Sequence, residues 1–148
     1  MFSKKYIILI LLLLLMILLV CAIQIKRYSI PEPDEIVIYS NHEVFKLKPN
    51  TKQYQSIYRI LDYIPQSEVQ EMSIDSDYIE EIKSWVCIEY VYYDTKQIAN
   101  RDYSKLLFSL SGWTDGSVIL CVDDNYLSGT YPFYSGQRVL KAIYRLYY

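Results

Sequence analysis

The chain has 148 residues, with 15 basic and 17 acidic side chains, 17 tyrosines and only four glycines. Removing Lys4 and Lys5 leaves 13 basic against 17 acidic from residue 26 onward. This mildly acidic balance lacks the concentrated basic face that nucleic acid requires. A single histidine and no C-x-x-C pair supply neither a zinc ligand set nor a thioredoxin-like site.

From Tyr6 to Ile25 there is no charge and no proline. Roughly 20 such residues, at about 1.5 Å per residue, match a hydrocarbon core of about 30 Å. Tyr6, Ile10, Leu15, Leu19 and Ile25 mark the length of this expected transmembrane helix, and residues 1–27 are read as a membrane anchor with membrane lipid as its partner. Two alternatives stay open. Leu18-Leu19-Val20-Cys21 approaches a lipoprotein signal with lipidation at Cys21, although Val20 stands where a small residue is usual. A cleaved secretory signal would need a small-x-small site, and Leu19 to Gln24 offers no clean one. Lys4, Lys5 and the α-amino group oppose Lys26 and Arg27 across the helix. The narrow excess of positive charge before it, together with the length of the following domain, favours N-terminus in and domain out. The expected location is therefore the cell membrane, single-pass, with an extracytoplasmic C-terminal domain.

Residues 28–34, with Pro31 and Pro33, read as a short extended linker, and 35–148 as one compact domain. Glu35 to Tyr39 and Glu43 to Lys48 form a hairpin around Ser40-Asn41-His42, with Phe45 and Leu47 on one face. Asn50 caps a helix over 51–64, whose apolar face is Tyr54, Ile57, Tyr58, Leu61 and Ile64; Pro65 ends it. Residues 66–82 hold six acidic side chains and no basic one. They read as a solvated loop with a helical turn near 77–83, because Asp75-Ser76-Asp77 and Glu80-Glu81 lack the glycine and spacing of an EF-hand.

Trp85 to Tyr93 is a buried strand and Asp94 to Asp102 a polar loop. Ser104 to Leu110, Ser117 to Val122 and Tyr126 to Tyr131 complete an antiparallel meander, with turns at Gly112 to Gly116 and Asp123 to Asn125. A closing helix after Gly136 buries Val139, Leu140, Ile143, Tyr144 and Tyr147. It sets Arg138, Lys141 and Arg145 on a separate stripe, which suits a helix C-terminus and also suits anionic head groups or wall polymers. The fold class expected is α+β: an N-terminal transmembrane helix, then an antiparallel sheet with two helices packed on one face. The tyrosines fit strands in which a ring is half-buried and its hydroxyl is wet.

Cys87 and Cys121 lie in apolar strands and are the candidate disulfide outside the cytoplasm; buried free thiols are the alternative. Chemistry for catalysis is sparse. No G-x-S-x-G elbow frames a serine, no glycine loop cradles phosphate, and the carboxylate pair Asp123-Asp124 lies in a turn between strands, along which adjacent residues point to opposite faces. The expectation is a non-enzymatic chain with no cofactor and no metal site. The layout includes I-P-x-x-D-E-I-x-I at Ile30 to Ile38, the helix at 51–64, D-G-S-V-I-L-C-V-D-D-N-Y at 115–126 and S-G-T-Y at 128–131 before a terminal helix. It resembles that of small single-pass or lipid-anchored surface proteins of low-GC Gram-positive bacteria. The resemblance implies a surface-located α+β domain and carries over no functional residue.

The leading functional expectation is an extracytoplasmic interaction module for a protein or envelope partner. One version is an immunity or exclusion protein binding through the acidic segment 66–82 or the strand-edge tyrosines. The alternative is a small ligand-sensing or hydrolytic domain with a pocket around His42 or Asp123.

Overall fold

A computed structural model describes residues 4–22, 26–110, 116–133 and 136–147. Helix α1 (Lys4–Ala22) precedes a short strand β1 (Arg27–Ser29). The hairpin β2 (Glu35–Ser40) and β3 (Glu43–Leu47) is followed by helix α2 (Lys52–Tyr58), strand β4 (Tyr63–Pro65) and helix α3 (Ser76–Ser84). Strands β5 (Cys87–Ile98), β6 (Arg101–Ser109), β7 (Gly116–Val122) and β8 (Asn125–Phe133) lead into helix α4 (Gly136–Tyr147). The main sheet is antiparallel throughout, in the order β3-β2-β5-β6-β7-β8, and β1 pairs with β4 in a separate two-stranded ribbon. The fold is α+β.

Strand alternation divides the core in two. Ile36, Ile38, Ile88, Tyr90, Leu106, Phe108, Val118, Leu120 and Tyr131 face a large cluster with Tyr54 and Ile57 of α2 and Val139 and Ile143 of α4. Ile30, Leu61 and Ile64 join the same layer. Tyr90, Phe108 and Phe133 stack edge to face through it, with centroids 4.9 and 5.7 Å apart. The residues between them in the strands, Cys87, Leu107 and Ile119, face the other way and meet Ile79 and Ile82 of α3. Two helices therefore cover one face, as the apolar stripes predict, and α3 covers the opposite face. The segment read as an acidic loop thus holds a structural helix. Asp75 caps it by accepting from Tyr78 N at 2.9 Å, Asp77 lies in its first turn and Lys83 in its last, matching the helix dipole.

Other boundaries also move. The expected helix over 51–64 stops at Tyr58, and its cap is Thr51, which accepts from Tyr54 N at 3.2 Å, rather than Asn50. Leu61 and Ile64 are buried as predicted, but Ile64 sits in β4 opposite Tyr28. Pro65 disfavours helical geometry at the residue before it, and Ile30 N donates to Asp62 O at 2.8 Å in place of a further helical turn. Residues 94–98 belong to β5 rather than to a loop: they extend the hairpin with β6, where Asp94, Thr95 and Gln97 are exposed while Ile98 and Tyr103 are buried in the large core cluster.

Residues 28–34, expected as a linker, are folded into the domain. Ile30 and Pro33 are buried, and the hydroxyls of Tyr58 and Tyr92 donate to Ile30 O and Pro31 O, both at 2.9 Å. Tyr54 Oη donates to Pro33 O, and Asp34 N donates to Val91 O at 2.9 Å.

On α1, Tyr6 and every side chain from Ile8 to Met16 are more than half exposed. Among the described residues no helix is long and apolar enough to cross a membrane. The apolar run Tyr6 to Ile25 is only partly covered, since Ile25 lies outside the described residues and the side chains of Leu19 and Cys21 do too. The turn predicted at 112–115 is likewise outside them.

Candidate functional site

The alternation that builds the α3 face of the sheet places one carboxylate within it. Glu89 is opposite Val37 on β2 and Leu107 on β6, and is 3% exposed. Burying a carboxylate is costly unless it is paired and hydrogen-bonded. Three donors converge on it: Lys83 Nζ at 3.3 Å, Tyr39 Oη at 3.0 Å and Tyr126 Oη at 2.5 Å. Lys83 reaches down from the last turn of α3 and lies over the Tyr39 ring at 4.7 Å and the Tyr126 ring at 5.2 Å. Burial, and then the Glu89 carboxylate beside each hydroxyl, hold the Tyr39 and Tyr126 phenols well above their ordinary range. The cluster bolts α3 to β2, β5 and β8.

Above it runs a groove of about 450 Å³ between α3 and the β7–β8 turn, lined by Ile74, Asp75, Ser76, Ile79, Glu80, Lys83, Asp124, Asn125 and Tyr126. Lys105 donates to the Asp124 carboxylate, which that bond holds below the usual range. The charges in and under the groove are four carboxylates (Asp75, Glu80, Asp124, Glu89) against two lysines (Lys83, Lys105), a net of −2. Ile74, Ile79 and the Tyr126 ring give it an apolar wall. Such a cleft suits a basic side chain with an alkyl stem. A second groove of about 620 Å³ lies between Val69 to Ser73 and Arg101, where Gln70 bridges to Thr130.

The acidic segment expected from the sequence thus meets a tyrosine of an edge strand: Asp75 and Glu80 line the groove with Tyr126 of β8. His42 and Asp123 do not meet. Each occupies its own hairpin turn, exposed, with φ of 65° and 48°. Asp124 rather than Asp123 borders the groove. Among the described residues no three His, Cys, Asp or Glu side chains converge as a metal site.

The candidate disulfide is corrected. Cys87 and Cys121 are both buried free thiols. Cys87 pairs with Ser109 and Ser109 with Ser117, four residues before Cys121. Two strand spacings across and four residues along separate the α-carbons by about 16 Å, far beyond the roughly 4.4–6.8 Å of a disulfide. Burial pushes the thiols up, to about 12 for Cys87 and about 11 for Cys121.

The Glu89 cluster was missed in the sequence, although a lone carboxylate inside Trp85 to Tyr93 marked it. Its partners are 6, 37 and 50 residues away. Comparison with protein-family models, curated proteins and solved structures yields no match.

Proposed function

We propose that the chain is a membrane-anchored, extracytoplasmic interaction module whose α3 groove takes a basic segment of a protein partner. The observation that carries the anchoring is α1, whose described side chains are apolar and exposed on every side of the helix. Moving such side chains out of water is worth roughly 1.5–3 kcal/mol each, and Tyr6 to Ile25 supplies the length. The narrow charge balance around α1 supports the outward orientation.

The groove supports the partner's chemistry through its net negative charge and its apolar wall beside Glu80 and Tyr126. An immunity or exclusion role at the cell surface fits one tight partner engaged there.

Two measurements test this reading. A C-terminal tag should be cut by protease on intact cells and the chain should stay with membranes in alkaline carbonate; cutting only after lysis refutes the orientation, and carbonate release refutes the anchor. In titrations of the detergent-solubilised chain, an arginine-rich peptide should bind more tightly than a glutamate-rich one. Glu80→Lys should abolish that preference, and an unchanged preference refutes the groove as the site.

A further inference from the structure

The cation stripe of α4 is only partly explained by folding. Arg145 lies in the last turn, where the helix dipole favours a cation, but Arg138 lies in the first turn, where it does not, and no acidic residue is there to offset it. Arg138, Lys141 and Arg145 are all exposed, while Val139 and Ile143 are buried beneath them. From residue 136 to 147 there is no acidic side chain. Among the described residues no acidic side chain pairs with this basic face.

The route of the chain out of α1 indicates what covers it. Only residues 23–26 separate Ala22 from Arg27, so the end of α1 and the start of β1 are at most about 18 Å apart. Strand β1 is latched to β4, and Ile30 and Ile64 belong to the same core layer as α2 and α4. The tether thus leaves the domain from the layer that carries α4, and Lys26 and Arg27 at its start are exposed and basic. The acidic groove over α3 lies on the opposite face of the sheet.

We propose that the exposed face of α4 docks on the anionic phospholipid head groups of the bilayer that holds α1. The sheet then lies over the membrane with the α3 groove turned away from it. This inference rests on the anchoring reading above. Arginine pairs with phosphate through its planar fork and lysine as a point charge. Each basic side chain at an anionic surface favours the docked state roughly fivefold, so the three together do so about a hundredfold. The effect fades as salt shortens the screening length.

The test uses the full chain in nanodiscs of phosphatidylcholine, alone or with about 30% phosphatidylglycerol, and follows hydrogen exchange of residues 136–147. Amides of β5 and β6 serve as the internal standard for folding. Insertion in both discs is expected, with exchange of α4 at least about tenfold slower in the anionic disc. The slowing should disappear in the Arg138→Gln, Lys141→Gln, Arg145→Gln variant. In the unaltered chain it should disappear at about 0.5 M salt, which keeps the test decisive if the variant fails to fold. Insertion in both discs with equal α4 exchange overturns the docking and leaves the anchor standing. Failure to insert in either disc overturns the anchor, and the docking with it.

Discussion

Replacing Lys83 by Met tests whether the Glu89 cluster holds α3 on the sheet. Met keeps most of the aliphatic length of lysine and the contact with the Tyr39 and Tyr126 rings, but removes the charge. The Glu89 side chain is 4% exposed and that of Lys83 26%, so the carboxylate would remain buried with two tyrosine hydroxyls and no cation. Breaking a buried ion pair from one side costs about 3–5 kcal/mol. The partial exposure of Lys83 lets water replace some of what is lost, and the two hydroxyls remain, which brings the expected loss to about 2–3 kcal/mol. Urea denaturation of Lys83→Met, Glu89→Gln and the double variant forms a closed cycle. Removing the charge of both partners leaves no ion unpaired, so the double variant should be more stable than the sum of the single losses predicts, by at least about 1 kcal/mol. A loss below about 0.5 kcal/mol in Lys83→Met, or strictly additive losses, would refute the argument that the pair fastens α3.

Three further outcomes are expected. Tyr58→Phe and Tyr92→Phe each remove a hydroxyl that donates at 2.9 Å to a carbonyl of the 30–33 strap, and each should cost about 1 kcal/mol in urea denaturation; no change in either would place those carbonyls in contact with water. The thiols of Cys87 and Cys121 are raised to about 12 and about 11 from 9.0, so the folded chain holds these protons more tightly than the unfolded chain. Their contribution is complete below about pH 9 and lost as pH rises through 11–12. Stability should therefore fall as pH rises from about 9 toward 11, and iodoacetamide at about pH 8 should label both thiols only in denaturant; rapid labelling of the folded chain would contradict their burial. Ala99 sits at φ 49° in the β5–β6 turn, a left-handed conformation that disfavours a β-carbon. Ala99→Gly should raise stability by about 0.5–1 kcal/mol, and a lower melting temperature would contradict that.

Much of the sheet was legible because its signals are local. Alternation in 35–47, the apolar runs of β5 to β7 and the Asp123-Asp124 turn each act within a few residues. The last of these appears in the structure as two successive left-handed residues, with φ of 48° and 64°. The stripe of α2 likewise shows its buried face within one or two turns, and that of α4 does so at Val139 and Ile143, whereas Tyr144, expected on the same buried stripe, is exposed. What was hidden depends on partners far along the chain. The i, i+3, i+4 pattern from Tyr54 to Ile64 correctly marks buried residues. It does not reveal that residues 63–65 pair with 27–29, an association that pulls Ile64 out of the helix. Asp75, Asp77, Glu80 and Glu81 read as solvated because their charges outnumber Ile79 and Ile82, the two buried residues that attach α3 to the sheet. For the candidate groove the residue types were visible, but their meeting was not, since it requires α3 and the β7–β8 turn to lie side by side.

The abundance of tyrosine acquires a specific cause in the strap. Proline lacks an N–H, so Pro31 and Pro33 present carbonyls without donors of their own, and a strap built from them cannot join a full strand ladder. Those carbonyls are near or within the core, where an unpaired oxygen is costly. A tyrosine solves this by reaching from the core with an apolar ring and ending in a donor: Tyr92 donates to Pro31 O and Tyr54 to Pro33 O, and Tyr58 does the same for the neighbouring Ile30 O. Phenylalanine would fill the same volume and leave the carbonyls unpaired. The three contacts come from α2 and from β5, so the strap is fixed to two different elements at once. If α1 lies in a bilayer as proposed, the strap does not move with it, because the strap is fixed to the sheet. The orientation of the groove at the membrane is then decided by what the domain's own surface touches, which is why the charge on α4 matters.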